Sequence, residues 1–311
     1  MIESKNLKDS LNDISLNEKE NSNDNCLEIS KNSTFDGDEV QFNLEEKENS
    51  IIPFEESFEK YYVDSAQNTN GNFDNYIKSG LKLISLFPKE NYQKEIEKIS
   101  NSFNLLNNDK NKKTLILDLD ETLIHSDLDL EYKNHIITLF FDSQEEGEEE
   151  KNIPIPLILR PKLFDFLNYV KEKYELIIFT ASQKNYADRI IDYIEKDQKY
   201  FSLRLYREHC IFIKPGLYIK DLRIFKNRDL KNIILIDNSI FSFAHQLNNG
   251  ILVTSFYNDE DDCFLINLKD YLIYCIENCD DVRIINQQQF KFEDYKNDII
   301  KELWFLFVIK L

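Results

Sequence analysis

The chain has little positive charge for its length of 311 residues. Its 38 lysine and arginine residues face 57 aspartate and glutamate residues, which gives a formal net charge of −19 at pH 7. Nucleic-acid affinity rests largely on Lys and Arg side chains that neutralise phosphates. The composition therefore argues against direct binding of DNA or RNA.

Long apolar runs and signs of secretion are also lacking. No stretch approaches the roughly 18–20 apolar residues that a membrane span needs, and the start, Met-Ile-Glu-Ser-Lys-Asn, has neither the basic nor the apolar part of a secretory signal. The 5 cysteines are odd in number and scattered. The Cys275-x-x-x-Cys279 pair has no second pair or nearby histidine, which argues against a zinc site. These absences predict an intracellular protein without a membrane span, nuclear or cytoplasmic in location.

Composition and periodicity divide the chain into four segments. Residues 1–50 are rich in Asn, Ser, Glu, Lys and Asp and are expected to be disordered. Residues 51–111 are expected to form a helical N-terminal extension, with one helix ended by Pro88 and a second from Tyr92 to Leu106. Residues 112–285 alternate apolar strands with helices and form the expected catalytic domain. Residues 286–311 form a helical tail.

The alternation in the catalytic domain predicts the α/β class with a parallel, doubly wound sheet. The expected elements include a strand over 135–141, an acidic hairpin tip at 145–150 and a short helix from Phe241 to Leu247. The tail holds seven consecutive apolar residues, Leu303 to Ile309. This run is interpreted either as a helix packed on the domain or as a patch that contacts a partner or a membrane surface.

Two carboxylates follow the apolar strand Leu115-Ile116-Leu117, at Asp118 and Asp120. Side chains at i and i+2 of an extended chain point the same way, so both acids meet one reacting group from one side. Ligands of open α/β sheets bind beyond the carboxyl ends of such strands. The alternative is an acidic turn with Thr122 as a helix cap.

Three later segments place polar side chains after strands in the same way. Thr180 follows an apolar strand and is interpreted either as a hydrogen-bond donor to phosphate or as a helix N-cap. Lys220 is interpreted as a counter-charge for phosphate or as an ordinary solvated lysine. Asp237 and Asn238 follow a fully apolar strand, and their oxygens suit a hard cation, although Asp and Asn are also strong N-caps.

The motifs together resemble a known family. Asp-Leu-Asp-Glu-Thr-Leu-Ile-His-Ser at 118–126 resembles the first motif of the haloacid dehalogenase superfamily, and more narrowly that of the small phosphatases acting on the C-terminal domain of RNA polymerase II. Phe-Thr-Ala-Ser, Lys-Asp-Leu and Asp-Asn-Ser follow in the family's order, at 179–182, 220–222 and 237–239. The resemblance covers about 112–280 and implies a haloacid-dehalogenase-like sheet with a small β insertion.

The resemblance implies a role for each acidic position. Asp118 is the implied nucleophile and a magnesium ligand. Asp120 is the implied general acid and base, and it offers its main-chain carbonyl to Mg²⁺. Asn238 is the third implied protein ligand, and Asp237 is an outer-shell partner of the metal.

Thr180 and Lys220 are the residues that the resemblance implies for holding the phosphoryl oxygens. The chain departs from the pattern at Ile240, where the family usually has proline. The loop around residues 214–216 belongs to the region that selects substrate in relatives, so its sequence leaves the specificity open.

These features predict a magnesium-dependent phosphatase acting on phosphoserine or phosphothreonine in a protein through an aspartyl-phosphate. One alternative is a non-catalytic scaffold on the same fold, like the receptor subunit of the mitochondrial import translocase. Another is a phospho-accepting receiver domain, which is shorter and has no general acid two residues after its aspartate. Release of inorganic phosphate from a phosphopeptide separates the three.

Overall fold

The computed structural model of the protein describes residues 72–85, 92–103, 112–126, 137–142, 152–214 and 217–309. In these residues the α-helices are α1 Asn72–Ser85, α2 Gln93–Ser100, α3 Leu163–Lys173, α4 Lys184–Ile194, α5 Phe264–Tyr271, α6 Val282–Phe290 and α7 Phe292–Ile309, and a π-helix, Leu272–Ile276, continues α5. The strands are β1 Lys113–Leu117, β2 Ile124–Ser126, β3 Ile137–Asp142, β4 Asn152–Leu159, β5 Tyr174–Phe179, β6 Leu203–Leu205, β7 Ile211–Lys214, β8 Leu217–Ile219, β9 Ile233–Asp237 and β10 Gly250–Leu252.

A parallel sheet with the strand order β10-β9-β1-β5-β6 forms the centre of the molecule. In β1, Leu115 pairs with Leu176 of β5 on one side and with Ile234 of β9 on the other. The four apolar residues of β9 and the run Leu115–Leu117 are fully buried. Such continuous apolar strands are typical of a parallel sheet that is covered on both faces.

The chain winds outward from β1 in two directions. It first passes to β5 and β6 and then crosses to β9 and β10, so the order reverses between β1 and β9. This topology confirms the predicted α/β class and the doubly wound parallel sheet. Ligands of such sheets bind at the carboxyl ends of the strands next to the reversal, which is where the predicted motifs follow β1, β5 and β9.

A second, antiparallel sheet of β2, β4 and β3 is inserted between β1 and α3. It agrees with the predicted small β insertion. Strands β7 and β8 form a separate two-stranded antiparallel ribbon. The expected acidic hairpin tip at 145–150 lies outside the described residues.

Two predicted helices are wrong in extent or type. The second helix of the N-terminal extension, expected to reach Leu106, ends at Ser100, because the N–H of Asn101 closes the last turn and the next N–H, at Ser102, bonds Ile99 three residues back. The helix expected over 241–247 is a series of turns. There the N–H of Ala244 bonds Phe241, and the Ser242 carbonyl accepts from Lys220 N at 2.7 Å instead of continuing a helix.

Helices α1 and α7 lie against each other, and α1 and α2 contribute side chains to the core. Helix α1 packs against α7, and its Leu81 and Ile84 are buried in the core. Helix α2 adds Ile96 and Ile99. The predicted segment boundaries stay predictions, and residues 1–50 lie outside the described part.

In the ranges that the structure describes, no helix is long and apolar enough to span a bilayer. The backbone of α7 is helical through Ile309. The side chains of the apolar run at 303–309 lie outside the described ones, so their contact with the domain, a partner or a membrane surface stays a prediction.

Candidate active site

A pocket of about 330 Å³ opens at the carboxyl edge of the parallel sheet. It is framed by two loops, 118–122 after β1 and 237–242 after β9. The structure brings every predicted site residue to this one pocket: Asp118, Asp120, Thr180, Lys220, Asp237 and Asn238.

Asp118 lies at the end of β1 and is held from two sides. Its amide donates to the Ile236 carbonyl at 2.9 Å, which continues the ladder between β1 and β9. Lys220 Nζ lies 2.5 Å from Asp118 Oδ1, and Thr122 Oγ1 donates to Asp118 Oδ2 at 2.8 Å. Asp118 is only 5% exposed. A buried cation and a buried hydroxyl group therefore fix the orientation of its carboxylate.

Lys220 links the two loops. Its ammonium group also lies 2.6 Å from Asp237 Oδ2, and its residue is 1% exposed. Burial lowers the pKa of Lys220, but the charges of Asp118 and Asp237 outweigh burial and raise its pKa above the ordinary value. Lys220 is therefore a permanently charged, buried counter-ion and not the solvated lysine of the alternative interpretation.

Asp120 has a different environment, built from hydroxyl groups. Ser182 Oγ donates to Asp120 Oδ2 at 2.7 Å, and Tyr186 Oη donates to Asp120 Oδ1 at 2.7 Å. Thr180 Oγ1 lies 3.2 Å from Oδ2. Burial and then the charge of Asp118 raise the pKa of Asp120, while the Ser182 and Tyr186 hydroxyls offset part of the rise. Asp120 therefore takes up a proton more readily than a free carboxylate does.

Thr180 follows β5 and is fully buried. Its Oγ1 accepts a hydrogen bond from the Ser182 N–H at 2.9 Å, which closes a local turn. The same oxygen also contacts Asp120. It does not cap α4, whose N-cap residue is Gln183. The hydroxyl lies in the pocket, where the phosphate role stays a prediction.

The loop 237–242 carries the remaining predicted residues. Ser239 N donates to Asp237 Oδ1 at 2.8 Å, and Asn238 Nδ2 donates to Ser255 Oγ at 3.0 Å. Burial and the charge of Asp118 raise the pKa of Asp237 to about 6, against the lowering effect of Lys220. Asp237 thus closes a local turn and caps no helix, and these residues face the pocket.

The loop 118–122 is backed by a buried arginine. Arg160 pairs with both carboxylate oxygens of Asp262, at 2.8 and 2.6 Å, and donates from Nη1 to the Thr122 carbonyl at 3.0 Å. Glu121 has a positive φ of 55°, and its carbonyl accepts from Phe256 N at 2.8 Å. A left-handed glutamate costs roughly 1–2 kcal/mol, so these surrounding contacts hold a strained turn at the pocket.

The pocket fits a divalent cation on its donor chemistry and charge. Among the described residues, no group of three His, Cys, Asp or Glu side chains is placed to hold a metal ion. A set of one carboxylate, one amide oxygen and one main-chain carbonyl needs no such group, and hard oxygen donors suit Mg²⁺. Burial first, and then the negative charge of Asp118, raises the pKa values of Asp120 and Asp237, and a cation would offset the effect of that charge.

Sequence reasoning missed several residues of the pocket's support. Thr122, Ser182 and Tyr186 contact the two carboxylates directly. Ser182 belongs to the Phe-Thr-Ala-Ser motif, but no pattern in the sequence pairs a hydroxyl group with an acid more than sixty residues away. Arg207 lines the pocket as well, with Nε donating to the Ala181 carbonyl at 2.6 Å.

Residues 113–283 match the family described as NLI interacting factor-like phosphatase. A protein of Dictyostelium discoideum, "CTD small phosphatase-like protein 2", is 39% identical over 181 residues, which cover 58% of this chain and 30% of that protein. "CTD small phosphatase-like protein 3" of Caenorhabditis elegans is 36% identical over 183 residues, 58% of this chain and 61% of the relative. The chain spans less than two thirds of the length of these relatives.

Other similar proteins carry names that refer to the nucleus. "CTD nuclear envelope phosphatase 1B" of Danio rerio is 34% identical over 182 residues, 55% of this chain and 69% of that protein. Among solved structures, fission yeast RNA polymerase II CTD phosphatase Fcp1 bound to beryllium fluoride aligns with a TM-score of 0.38 and 21% identity, over 66% of this chain and 59% of that one.

Proposed function

The chain belongs to the family of NLI interacting factor-like phosphatases, and on that basis we propose that it is a magnesium-dependent protein serine/threonine phosphatase. We propose an aspartyl-phosphate mechanism with Asp118 as nucleophile and Asp120 as general acid and base. Thr180 and Lys220 hold the phosphoryl oxygens in this proposal. Asp118, the main-chain carbonyl of Asp120 and Asn238 hold the metal, with Asp237 behind them.

The observation that carries the proposal is the contrast between two carboxylates in one pocket. Asp118 lies 2.5 Å from the ammonium group of Lys220, so the proposed nucleophile faces a buried cation. Asp120 lies among hydroxyl groups, and burial raises its pKa, which favours the protonated form that a general acid needs. Two acids whose environments differ in this way are typical of an acid and nucleophile pair.

In the first step, Asp118 attacks phosphorus and the bond from phosphorus to the serine or threonine oxygen breaks. The proton of Asp120 passes to that oxygen, which is a poor leaving group as an alkoxide. In the second step, Asp120 takes a proton from a water molecule as this water attacks phosphorus. The bond between Asp118 and phosphorus breaks, and inorganic phosphate leaves.

Charge in the pocket governs both steps. The buried ammonium group of Lys220 offsets the negative charge of the phosphoryl group, and such fixed charges contribute on the order of several kcal/mol to transition-state stabilisation. A bound magnesium ion would supply further positive charge to the phosphoryl oxygens.

The substrate and the place of action are proposals of the same kind. The names of relatives refer to the polymerase C-terminal domain and to the nuclear envelope. We propose a phosphorylated protein as substrate, with the polymerase tail as one candidate, and a nuclear or cytoplasmic location with the nucleus favoured. The net charge of −19 gives no support for direct nucleic-acid binding.

Phosphate release from phosphoserine peptides tests the activity. The purified full chain with Mg²⁺ is compared with Asp118→Asn and with Asp165→Asn, a matched change at an exposed position of α3. We expect Asp118→Asn to remove turnover with an unchanged circular dichroism spectrum, and Asp165→Asn to keep the wild-type rate. Peptide binding by the wild-type chain without phosphate release would favour the non-catalytic scaffold.

A further inference from the structure

His245 contacts the residue that directly follows Lys220, although it belongs to none of the motifs found in the sequence. Its ring nitrogen Nδ1 lies 2.7 Å from Oδ2 of Asp221. Neither His245 nor Asp221 lines the pocket that holds the proposed catalytic residues. This pair of side chains therefore lies behind Lys220 and not beside a bound phosphate.

Asp221 is a fully buried carboxylate with several hydrogen-bond donors around it. Its Oδ1 accepts from the Arg223 N–H at 3.0 Å and from Gln246 Nε2 at 3.2 Å. Its Oδ2 faces Nη2 of Arg223 at 2.6 Å as well as His245. Burial raises the pKa of Asp221, but the hydrogen bonds from Arg223 and His245 outweigh burial and hold this pKa well below its ordinary value. An ionised carboxylate only accepts hydrogen bonds, so Nδ1 of His245 carries the hydrogen of the shared bond.

The bonds around Asp221 tie two segments of the chain together. The Lys220 N–H donates to the Ser242 carbonyl at 2.7 Å. The Leu222 N–H donates to Gln246 Oε1 at 3.0 Å. Each of the three consecutive residues from Lys220 onward is thus bonded to the segment 242–246. The side chain of Asp221 supplies the middle bonds of this series, and they hold the main chain at Lys220 in place.

The main-chain position of Lys220 matters because its ammonium group contacts two acids. Nζ lies 2.5 Å from Asp118 Oδ1 and 2.6 Å from Asp237 Oδ2. A lysine side chain is a flexible stem with a point charge at its end, so its backbone must hold the charge in register with both acids. In an active site, a misplacement of about 1 Å can lower a rate by roughly a hundredfold.

The ring of His245 has a second neighbour, Tyr92. The two rings stack, with their centroids 5.6 Å apart and their planes at 29°. Tyr92 precedes α2 and lies outside residues 113–283, which match the family. Substitution separates the two contacts of His245. Phenylalanine keeps a flat ring without a donor, and asparagine keeps an N–H donor near the position of Nδ1 without the ring.

We propose that His245 is a positioning residue for Lys220 and acts through Asp221. The hydrogen bond from His245 fixes the Asp221 carboxylate, and this carboxylate fixes the main chain from which the ammonium group reaches the pocket. His245 touches neither substrate nor reacting atoms. The catalytic part of this inference rests on the proposed phosphatase function, in which Lys220 holds the phosphoryl oxygens.

Amide hydrogen exchange of the full chain, without metal or substrate, tests the positioning. Tyr271→Phe is the matched control, because it removes a buried hydroxyl that donates to Asn286 Oδ1 at 2.8 Å away from the pocket. Exchange in this control gives the effect of lost stability alone. We expect His245→Phe to speed exchange of the Lys220 and Leu222 amides by roughly three- to tenfold beyond the control. His245→Asn, which keeps the donor, is expected to match the control.

Turnover of p-nitrophenyl phosphate with Mg²⁺ is the second readout. We expect kcat of His245→Phe to fall by about three- to tenfold and KM to stay near the wild-type value, because the charge of Lys220 remains and only its position changes. His245→Asn and Tyr271→Phe are expected to keep the wild-type kcat. Control-level exchange at Lys220 in His245→Phe, or wild-type kcat together with faster exchange, would overturn the positioning role. An equal fall in kcat for His245→Asn would assign the effect to the ring and overturn the action through Asp221.

The two proposals fail in different ways. If the wild-type chain releases no phosphate from any phosphopeptide or from p-nitrophenyl phosphate, the proposed function fails. Exchange at Lys220 then still decides whether His245 holds this part of the main chain. If the wild-type chain is active and His245→Phe matches Tyr271→Phe in both readouts, only the inference about His245 fails.

Discussion

Two loops carry the acidic residues of the pocket, and different parts of the chain hold them in place. The loop 118–122 is held by Lys220, Arg160 and Phe256, all within the family-matched region. The loop 237–242 shares Lys220 but also packs closely against Gly80 of α1, which lies outside that region. The first loop is thus held by the matched domain alone, whereas the second loop also packs against a helix that lies outside this domain.

Lys220→Met is expected to have the largest effect, because it removes the ammonium group that binds Asp118 of one loop and Asp237 of the other. Two buried carboxylates lose their counter-ion, so the free energy of unfolding is expected to fall by about 3–5 kcal/mol and turnover to disappear. Urea unfolding measures the first effect and phosphate release the second. Lys94→Met, at an exposed position of α2, is the control. Equal stability of the two variants would mean that the two ion pairs do not join the loops.

The sheet could be predicted from the sequence because its strands are uninterrupted apolar runs. All residues of Leu115–Leu117 and Ile233–Ile236 are apolar, and such short runs have few alternatives to a buried strand. The positions of Asp118 and Asp237 followed from strand ends alone. The helix predicted over 241–247 was wrong. The apolar spacing of this segment suits a helix, but the Ser242 carbonyl accepts a hydrogen bond from the distant amide of Lys220.

The supporting shell of the pocket could not be predicted in the same way. Ser182 and Tyr186 lie 62 and 66 positions from Asp120 in the chain, and serine and tyrosine are common everywhere. The close approach of Gly80 to Ile240 depends on how α1 docks, and periodicity predicts the helix but not its partner. The sequence shows that Ile240 replaces the proline usual in the family. Only the structure shows that the Ile240 side chain packs closely against Gly80 of α1.

Thr122→Val tests how the first loop, 118–122, holds Asp118. The change removes the hydroxyl that bonds Asp118 Oδ2 at 2.8 Å and keeps the shape of the side chain. Hydrogen bonds to charged groups contribute about 1.5–3 kcal/mol, so we expect a loss of that size in unfolding free energy and a clear fall in kcat.

Thr114→Val is the matched control, because Thr114 Oγ1 bonds the Glu175 carboxylate at 3.1 Å away from the pocket. This variant is expected to lose stability and keep kcat. A similar fall in kcat for both variants would show that lost stability, and not the orientation of Asp118, lowers the rate.

Gly80→Ala is the smallest test and addresses the second loop. The added methyl group meets Ile240 at 2.6 Å, and overpacking costs about 1–3 kcal/mol, partly offset by the roughly 1 kcal/mol that alanine gains over glycine in a helix. A net loss of about 1 kcal/mol is therefore expected, with faster amide exchange confined to residues 239–242. Ser79→Ala, at an exposed position beside it, should be neutral or stabilising. If Gly80→Ala stabilises the protein as much as Ser79→Ala does, α1 does not press on the loop.

The most direct measurement of the central claim is chemical trapping of the phosphoryl intermediate. The wild-type chain is mixed with a phosphopeptide and Mg²⁺, quenched in acid, digested and analysed by mass spectrometry, with Asp118→Asn in parallel. The account predicts one phosphoryl group on the peptide that contains Asp118, lost on treatment with hydroxylamine and missing from Asp118→Asn. A phosphoryl group on another residue, or full turnover by Asp118→Asn, would contradict it.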